Sequence, residues 1–166
     1  MIRRFLANRT GSAAAEFALS LPMMMVLMFG GLEAGHFFWT EHKLVKAVRD
    51  GARYAARLDV HSLCNGATDV MSTTVEGDIQ AVTSTGLPTT ANAAPKVPGW
   101  SADGVDVTVV CEGFLATGIY EQLGNAGPIV TVSSGAVTYP SLFEALGVIT
   151  SSFNISAESS AAVTGL

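Results

Sequence analysis

From Phe17 to Leu32 the chain runs sixteen residues without a charge, and Ala13 to Trp39 contains only two, Glu16 and Glu33. About 20 consecutive apolar residues cross the hydrocarbon core of a bilayer, so this run predicts a membrane helix. Its centre, MMMVLMFGGL, has no polar face, which a surface helix of a soluble domain needs. Pro22 lies inside the run; it removes the hydrogen bond to the Ala18 carbonyl and predicts a local kink or loosening. A cleavable secretory signal is the competing reading, with Arg3, Arg4 and Arg9 as its basic region and the methionine-rich run as its apolar region. Glu16, placed between the two, and the lack of an A-x-A-like site closing the run weigh against it.

After Thr40 the pattern becomes two-sided. Lys46, Arg49, Arg53 and Arg57, spaced 3, 4 and 4, share one helical face, and Leu44, Val48, Ala52 and Ala55 share the opposite one. Asp50 falls on the cationic face, within reach of Lys46 and Arg53. A helix continuing from Ala13 to Arg57 is about 68 Å long at 1.5 Å per residue. That exceeds a bilayer, so the second half is expected to stand above the membrane as a stalk.

Beyond residue 57, Asp69–Gly86 predicts a second helix, with Met71, Val75, Ile79 and Val82 recurring at 4, 4 and 3 residues and Gly86 to close it. A loop rich in proline and glycine follows, to Gly104. Three strands are expected at Val105–Cys111, Ile129–Tyr139 (with Gly135 at a bulge or tight turn) and Phe153–Val163. Ser141 and Glu144 match a capping box for a short helix after Pro140, and Phe114 to Leu123 has the texture of another. The fold class is α+β: a long N-terminal transmembrane and stalk helix, then a small antiparallel sheet packed with one or more helices.

Charge sharpens this division. The chain has 166 residues, a net charge of −5 and a mean hydropathy of +0.40. Eight of its nine Lys and Arg residues precede position 58, and only Lys96 follows, against ten acidic residues from Asp59 to Glu158. An acidic remainder with one cation is unsuited to nucleic acid, whose phosphates require clustered Lys and Arg. Three cations flank the apolar run on its N-terminal side and five on its C-terminal side, a mild bias toward a cytoplasmic C-terminus. Long domains translocate largely regardless of charge, however, and the only two cysteines, Cys64 and Cys111, suit an oxidising compartment. The favoured orientation therefore has the N-terminus inside and the C-terminal domain outside. Exported, the two cysteines predict one disulfide; the alternative is two separate buried thiols. A bridge would enclose about 48 residues, worth roughly 4 kcal/mol in the chain-entropy model.

Little in the chain points to catalysis. His36, His42 and His61 all precede the strands, and no G-x-S-x-G, H-E-x-x-H or G-x-G-x-x-G occurs. His61 and Cys64 have ligand-like spacing without a second Cys/His pair to complete a zinc site. Glu76 and Asp78 read as solvated helix positions rather than an acid/base pair. The sequons at Asn8 and Asn154 read as chance matches. No enzyme activity, metal or cofactor is expected. Gly31 and Gly35 form a G-x-x-x-G, readable as a helix-packing surface or as a kink at the membrane exit. Glu33 reads as snorkelling to water, with pairing to a neighbouring helix as the sharper alternative.

The entry stretch Arg9-Thr-Gly-Ser-Ala-Ala-Ala-Glu-Phe-Ala-Leu-Ser-Leu-Pro resembles the N-terminus of TadE-like pseudopilins of the tight-adherence (Flp, type IV-related) pilus system. Gly11, Ser12, Glu16, Phe17 and Pro22 carry the resemblance, with Lys46-Ala-Val-Arg-Asp-Gly-Ala-Arg-Tyr-Ala similar to the family's helix extension. The resemblance implies a leader of residues 1–11 cut after Gly11 by a prepilin peptidase, a transmembrane and stalk helix over 12–57, and a periplasmic α+β domain over 58–166. It implies a non-enzymatic minor pilin in the bacterial inner membrane, present also outside the cell if it enters the fibre. Its partners would be membrane lipid, the peptidase and other pilin subunits met through the N-terminal helix. Glu16 would then pair with the new Ser12 amine of a neighbouring subunit. The alternative is a permanently anchored periplasmic binding domain that never enters a pilus.

Overall fold

The computed structural model describes residues 10–88, 93–112, 127–145, 147 and 153–165. One helix dominates them. Helix α1, Thr10–Ala55, has 46 residues and contains Pro22, a length of about 69 Å. Its two halves meet different surroundings. The apolar first half is long and apolar enough to cross a membrane, and none of that stretch is buried inside the protein. In the second half Leu44, Ala47, Val48, Ala52 and Ala55 are wholly buried, while Lys46, Arg49, Arg53 and Arg57 are exposed. The expected two faces are therefore present, but the helix does not stand clear as a stalk. Its apolar face is the centre of the core that also contains the strands.

Two short elements turn the chain back after α1. Helix α2, Val60–Leu63, is capped by Asp59, whose carboxylate accepts from the His61 N–H at 2.9 Å. Strands β1, Cys64–Asn65, and β2, Thr68–Asp69, make a tight hairpin. Helix α3, Thr73–Ser84, begins at Ser72, whose hydroxyl accepts from the Val75 N–H, and closes at Gly86 with φ +95°. It packs along α1, with Ile79 and Val82 facing inward. A Cβ at Gly51 of α1 would collide with the Thr83 hydroxyl of α3; glycine is what allows the two helices to come this close.

Lys96, the one cation of the C-terminal two thirds, fastens the segment after α3. Its backbone N–H donates to the Ser84 carbonyl at 2.7 Å and its ammonium to the Val82 carbonyl at 3.2 Å. A cation at a helix C-terminus is favourable, because the free carbonyls there carry partial negative charge. The same ammonium forms a salt bridge to Asp50 at 3.7 Å. Asp50 thus pairs across the fold, and not with Lys46 or Arg53 along its own helix. Burial pushes the Lys96 ammonium below the ordinary lysine value, while the Asp50 carboxylate pulls it back up.

A short 3-10 turn, Ala102–Gly104, leads into the main sheet, whose strand order is β3 (Asp106–Val110), β4 (Ile129–Ser133), β7 (Glu158–Ala162), all antiparallel. Val107, Val130, Val132 and the adjoining Val163 point inward with the α1 stripe. The second and third expected strands are each broken in two. At Ser134–Gly135 the chain turns a corner, Gly135 adopting φ +62°, and β5 (Val137–Thr138) leaves the main sheet to pair with β6 (Asn154–Ile155). A Cβ at Gly135 would sit 2.7 Å from the Gly104 carbonyl, so this corner requires glycine on both counts. The Ser134 hydroxyl accepts from the Ala157 N–H at 2.9 Å, tying the two breaks together.

Helix α4, Leu142–Ala145, follows Pro140; the Ser141 hydroxyl accepts from the N–H groups of Phe143 and Glu144. The capping serine is as expected, but the Ser141 N–H donates to the Tyr139 carbonyl at 3.0 Å, not back to Glu144. The architecture is α+β. The expected helix at Phe114–Leu123 lies outside the described residues.

Substituting Gly51→Ala should lower stability by about 1–3 kcal/mol, the usual cost of forcing a methyl group into a packed contact. The loss should shrink in Gly51→Ala/Thr83→Ala, where the obstructing hydroxyl is gone. Thermal melts of the detergent-solubilised chain, followed by circular dichroism, measure both.

Candidate functional site

Three regions concentrate unusual chemistry, and α1 runs through or beside all of them. The first is its N-terminal entry. Gly11, Ser12, Glu16, Phe17 and Pro22 all lie on the one continuous helix. Glu16 follows Ser12 by four residues, one helical turn, and is exposed on the shaft, as is Phe17. Gly11 has open space where a side chain would be. Near Pro22, which leaves a carbonyl one turn earlier without its helical donor, Ser20 donates its hydroxyl to the Phe17 carbonyl at 3.1 Å.

The second region is the collar where the apolar run ends. Here the β5–α4–β6 lobe folds down against α1. The Tyr139 hydroxyl lies 2.8 Å from His36 Nδ1 and 3.3 Å from the Glu33 carbonyl. A phenol has one hydrogen, so both bonds coexist when His36 carries its proton on Nδ1 and Tyr139 donates to the carbonyl. The Glu33 carboxylate accepts from the Leu142 N–H at 3.2 Å. Glu33 is half-buried and turned toward its own chain, so it neither snorkels freely to water nor keeps this oxygen for another helix. The reason is local: the first N–H groups of α4 have no helical acceptor and sit within reach. The Tyr139 ring meets Phe37 edge-on at 5.2 Å between centroids. Beside the bonds lies a cleft of about 470 Å³, walled by Phe37, Phe38, Phe143 and Phe153. Just above it, the Lys43 ammonium sits over the Trp39 ring, 4.3 Å from its centroid.

The third region lies above the collar and is electrostatic. His42, Lys46, Arg49 and Arg53 border a shallow groove of about 370 Å³ on the exposed face of α1. Among the described residues, none of Lys46, Arg49, Arg53 and Arg57 has a carboxylate within 4.0 Å, since Asp50 is engaged by Lys96. Farther up, Cys64 and Cys111 form the disulfide, with Cα atoms 5.7 Å apart and both residues buried. It joins the start of β1 to the residue after β3, and it removes Cys64 from any metal chemistry with His61. Glu76 accepts a hydrogen bond from Gln80 at 3.4 Å on the α3 surface. No group of three or more His, Cys, Asp or Glu side chains is placed to hold a metal among the described residues.

The family model described as TadE-like protein matches residues 11–53. The N-terminal helix is TadE-like. No curated protein and no solved structure matches the chain. The TadE-like match begins at Gly11 and ends within the last turn of α1, so it takes in the entry, the apolar shaft and the basic face. The strands and the disulfide lie beyond it.

Of the residues singled out in sequence, Gly11, Ser12, Glu16, Phe17 and Pro22 fall along about three turns of the TadE-like helix, and Cys64 and Cys111 come together. The structure places these two groups far apart along α1. The collar is not foretold by the sequence. Phe37-Phe38-Trp39 at the end of an apolar run is the signature of an interfacial aromatic belt and was available as a signal. Its pairing with Tyr139, more than a hundred residues on, was not.

Burial pushes the Tyr139 phenol up to about 12, with the neighbouring Glu33 carboxylate adding to the effect. The folded protein therefore holds the neutral phenol. This stabilisation is fully present below about pH 10, the unfolded value, and is lost as pH rises through about 12. In an absorbance titration of the three tyrosines, one component should ionise near pH 12, and Tyr139→Phe should abolish that component while leaving the rest.

Proposed function

We propose that this chain is a minor pilin or pseudopilin of a tight-adherence pilus. It is held in the bacterial inner membrane by α1 with its C-terminal domain in the periplasm, and it acts by assembly rather than catalysis. The observation that carries the reading is the TadE-like match starting at Gly11, on a helix where Glu16 lies one turn past Ser12. Cleavage between Gly11 and Ser12 by a prepilin peptidase leaves a new α-amine at Ser12. The ordinary value for such an amine is about 8, so it is mostly protonated at neutral pH. Glu16 pairs with the Ser12 amine of a neighbouring subunit, opposite charges in apolar surroundings, and this pairing fixes the stagger between adjacent helices. Glu16 is also close to the new helix N-terminus, where the macrodipole favours negative charge.

The remaining features fit an assembly role. The apolar half of α1 offers a lipid-facing surface that exchanges for subunit contacts, and the basic face of its upper half has no carboxylate partners of its own among the described residues. A disulfide suits export into an oxidising compartment.

Replacing Glu16 with Ala should leave membrane insertion unchanged and reduce the protein in sheared pili at least about tenfold. Stranding the partner amine costs more than the ~1.4 kcal/mol that such a factor represents. Immunoblots of the membrane and pilus fractions measure both, and normal incorporation of the variant would count against the proposed pairing.

A further inference from the structure

The collar lies at a depth that the helix itself defines. Ala13 to Leu32 is 20 residues, about 30 Å at 1.5 Å per residue, which matches a hydrocarbon core. Glu33 falls at the edge of a bilayer that α1 would span over this stretch. The lobe is bonded to α1 at this level through Leu142 to Glu33 and Tyr139 to His36. Its cleft reaches down to Gly30, within the apolar run. The lobe's own apolar side chains point away from the core: Phe153 is 63% exposed and Leu142 43%. Large apolar side chains exposed beside a membrane-spanning segment have an obvious place to go, and water is not it.

We propose that the β5–α4–β6 lobe is a second membrane contact, with Leu142, Phe143 and Phe153 seated at the acyl–headgroup boundary and the cleft occupied by the upper acyl carbons of a phospholipid. The proposal rests on α1 being a membrane anchor. Three observations favour lipid over a second copy of the chain. The floor of the cleft is continuous with the bare shaft, which lipid must already cover. The polar groups at the back of the cleft are engaged within the chain, so its mouth offers apolar contact and no hydrogen bonds that would specify a protein partner. Trp39 and Lys43 sit just above, the residue types that belong at headgroup level, with the ring in the interface and the ammonium reaching phosphate. The contact fixes how the domain sits on the membrane and tilts with α1, and it must be given up when the subunit leaves the bilayer.

Brominated lipids, which quench tryptophan at a known depth, test this in vesicles of phosphatidylcholine and phosphatidylglycerol containing the full chain. In a Trp39→Phe background, Trp100 is an internal reference, being buried with its Nε1 donating to the Ser134 carbonyl. Phe153→Trp should then be quenched by lipid brominated near the headgroup, and Leu142→Trp likewise, while Trp100 keeps its emission. Quenching of these probes by aqueous iodide instead would put the lobe in water and overturn the proposal. Protection from both quenchers would mean a protein cover and overturn it equally. Met25→Trp, in the middle of the shaft, separates the two levels of failure. If Met25→Trp is quenched by lipid and the lobe probes are not, only the second contact falls; if Met25→Trp is not quenched either, the anchor falls with it.

Discussion

Everything above the apolar shaft depends on one packing relation: the small apolar face of α1, from Leu44 to Ala55, lies against α3 and the main sheet. The same helix is bare and largely apolar in its first half and apolar on one side in its second. The upper region has no separate core to which the helix is merely attached, because Leu44, Ala47, Val48, Ala52 and Ala55 are the middle of that core. A fully buried Leu or Val contributes about 1.5–3 kcal/mol, so removing this stripe would leave the strands with nothing to cover.

Three kinds of tie secure the other elements to α1. The Cys64–Cys111 bridge joins the turn after α1 to the end of β3. Lys96 joins the loop after α3 to Asp50 and to the last carbonyls of α3. Tyr139 and Leu142 join the lobe to His36 and Glu33. Each uses a residue whose type is scarce in the chain: its two cysteines, the one cation of the acidic region, and one of three tyrosines.

The long helix and its two faces were legible in the sequence, because 3.6-residue periodicity persists over many turns and burial follows it closely. Helix α3 was legible for the same reason, and strand β3 through its two-residue alternation, with Val107 buried and Asp106 and Thr108 exposed. The split of the later strands was only half legible. Gly135 announced a turn, but a local signal does not say that the chain beyond it pairs with a different partner. What stayed hidden were contacts between distant segments. Asp50 had two cations within helical reach and yet pairs with Lys96, because burial beside α3 decides the geometry. Glu33 was read as facing solvent or another helix, since nothing near it in sequence foretold the α4 N–H groups. At the entry the opposite holds: Gly11, Ser12, Glu16, Phe17 and Pro22 stand out in combination, and the structure adds that they share one uninterrupted helix.

In the proposed function Glu16 would gain its role from a charge created at Ser12 of a neighbouring subunit, so the account turns on which peptide bond is cut. The mass of the mature chain, measured on protein recovered from the native membrane, tests this most directly. Loss of residues 1–11, leaving Ser12 as the N-terminal residue, is the predicted result. An intact N-terminus would contradict it in favour of a permanently anchored domain, and loss through about Gly31 would contradict it in favour of a secretory signal.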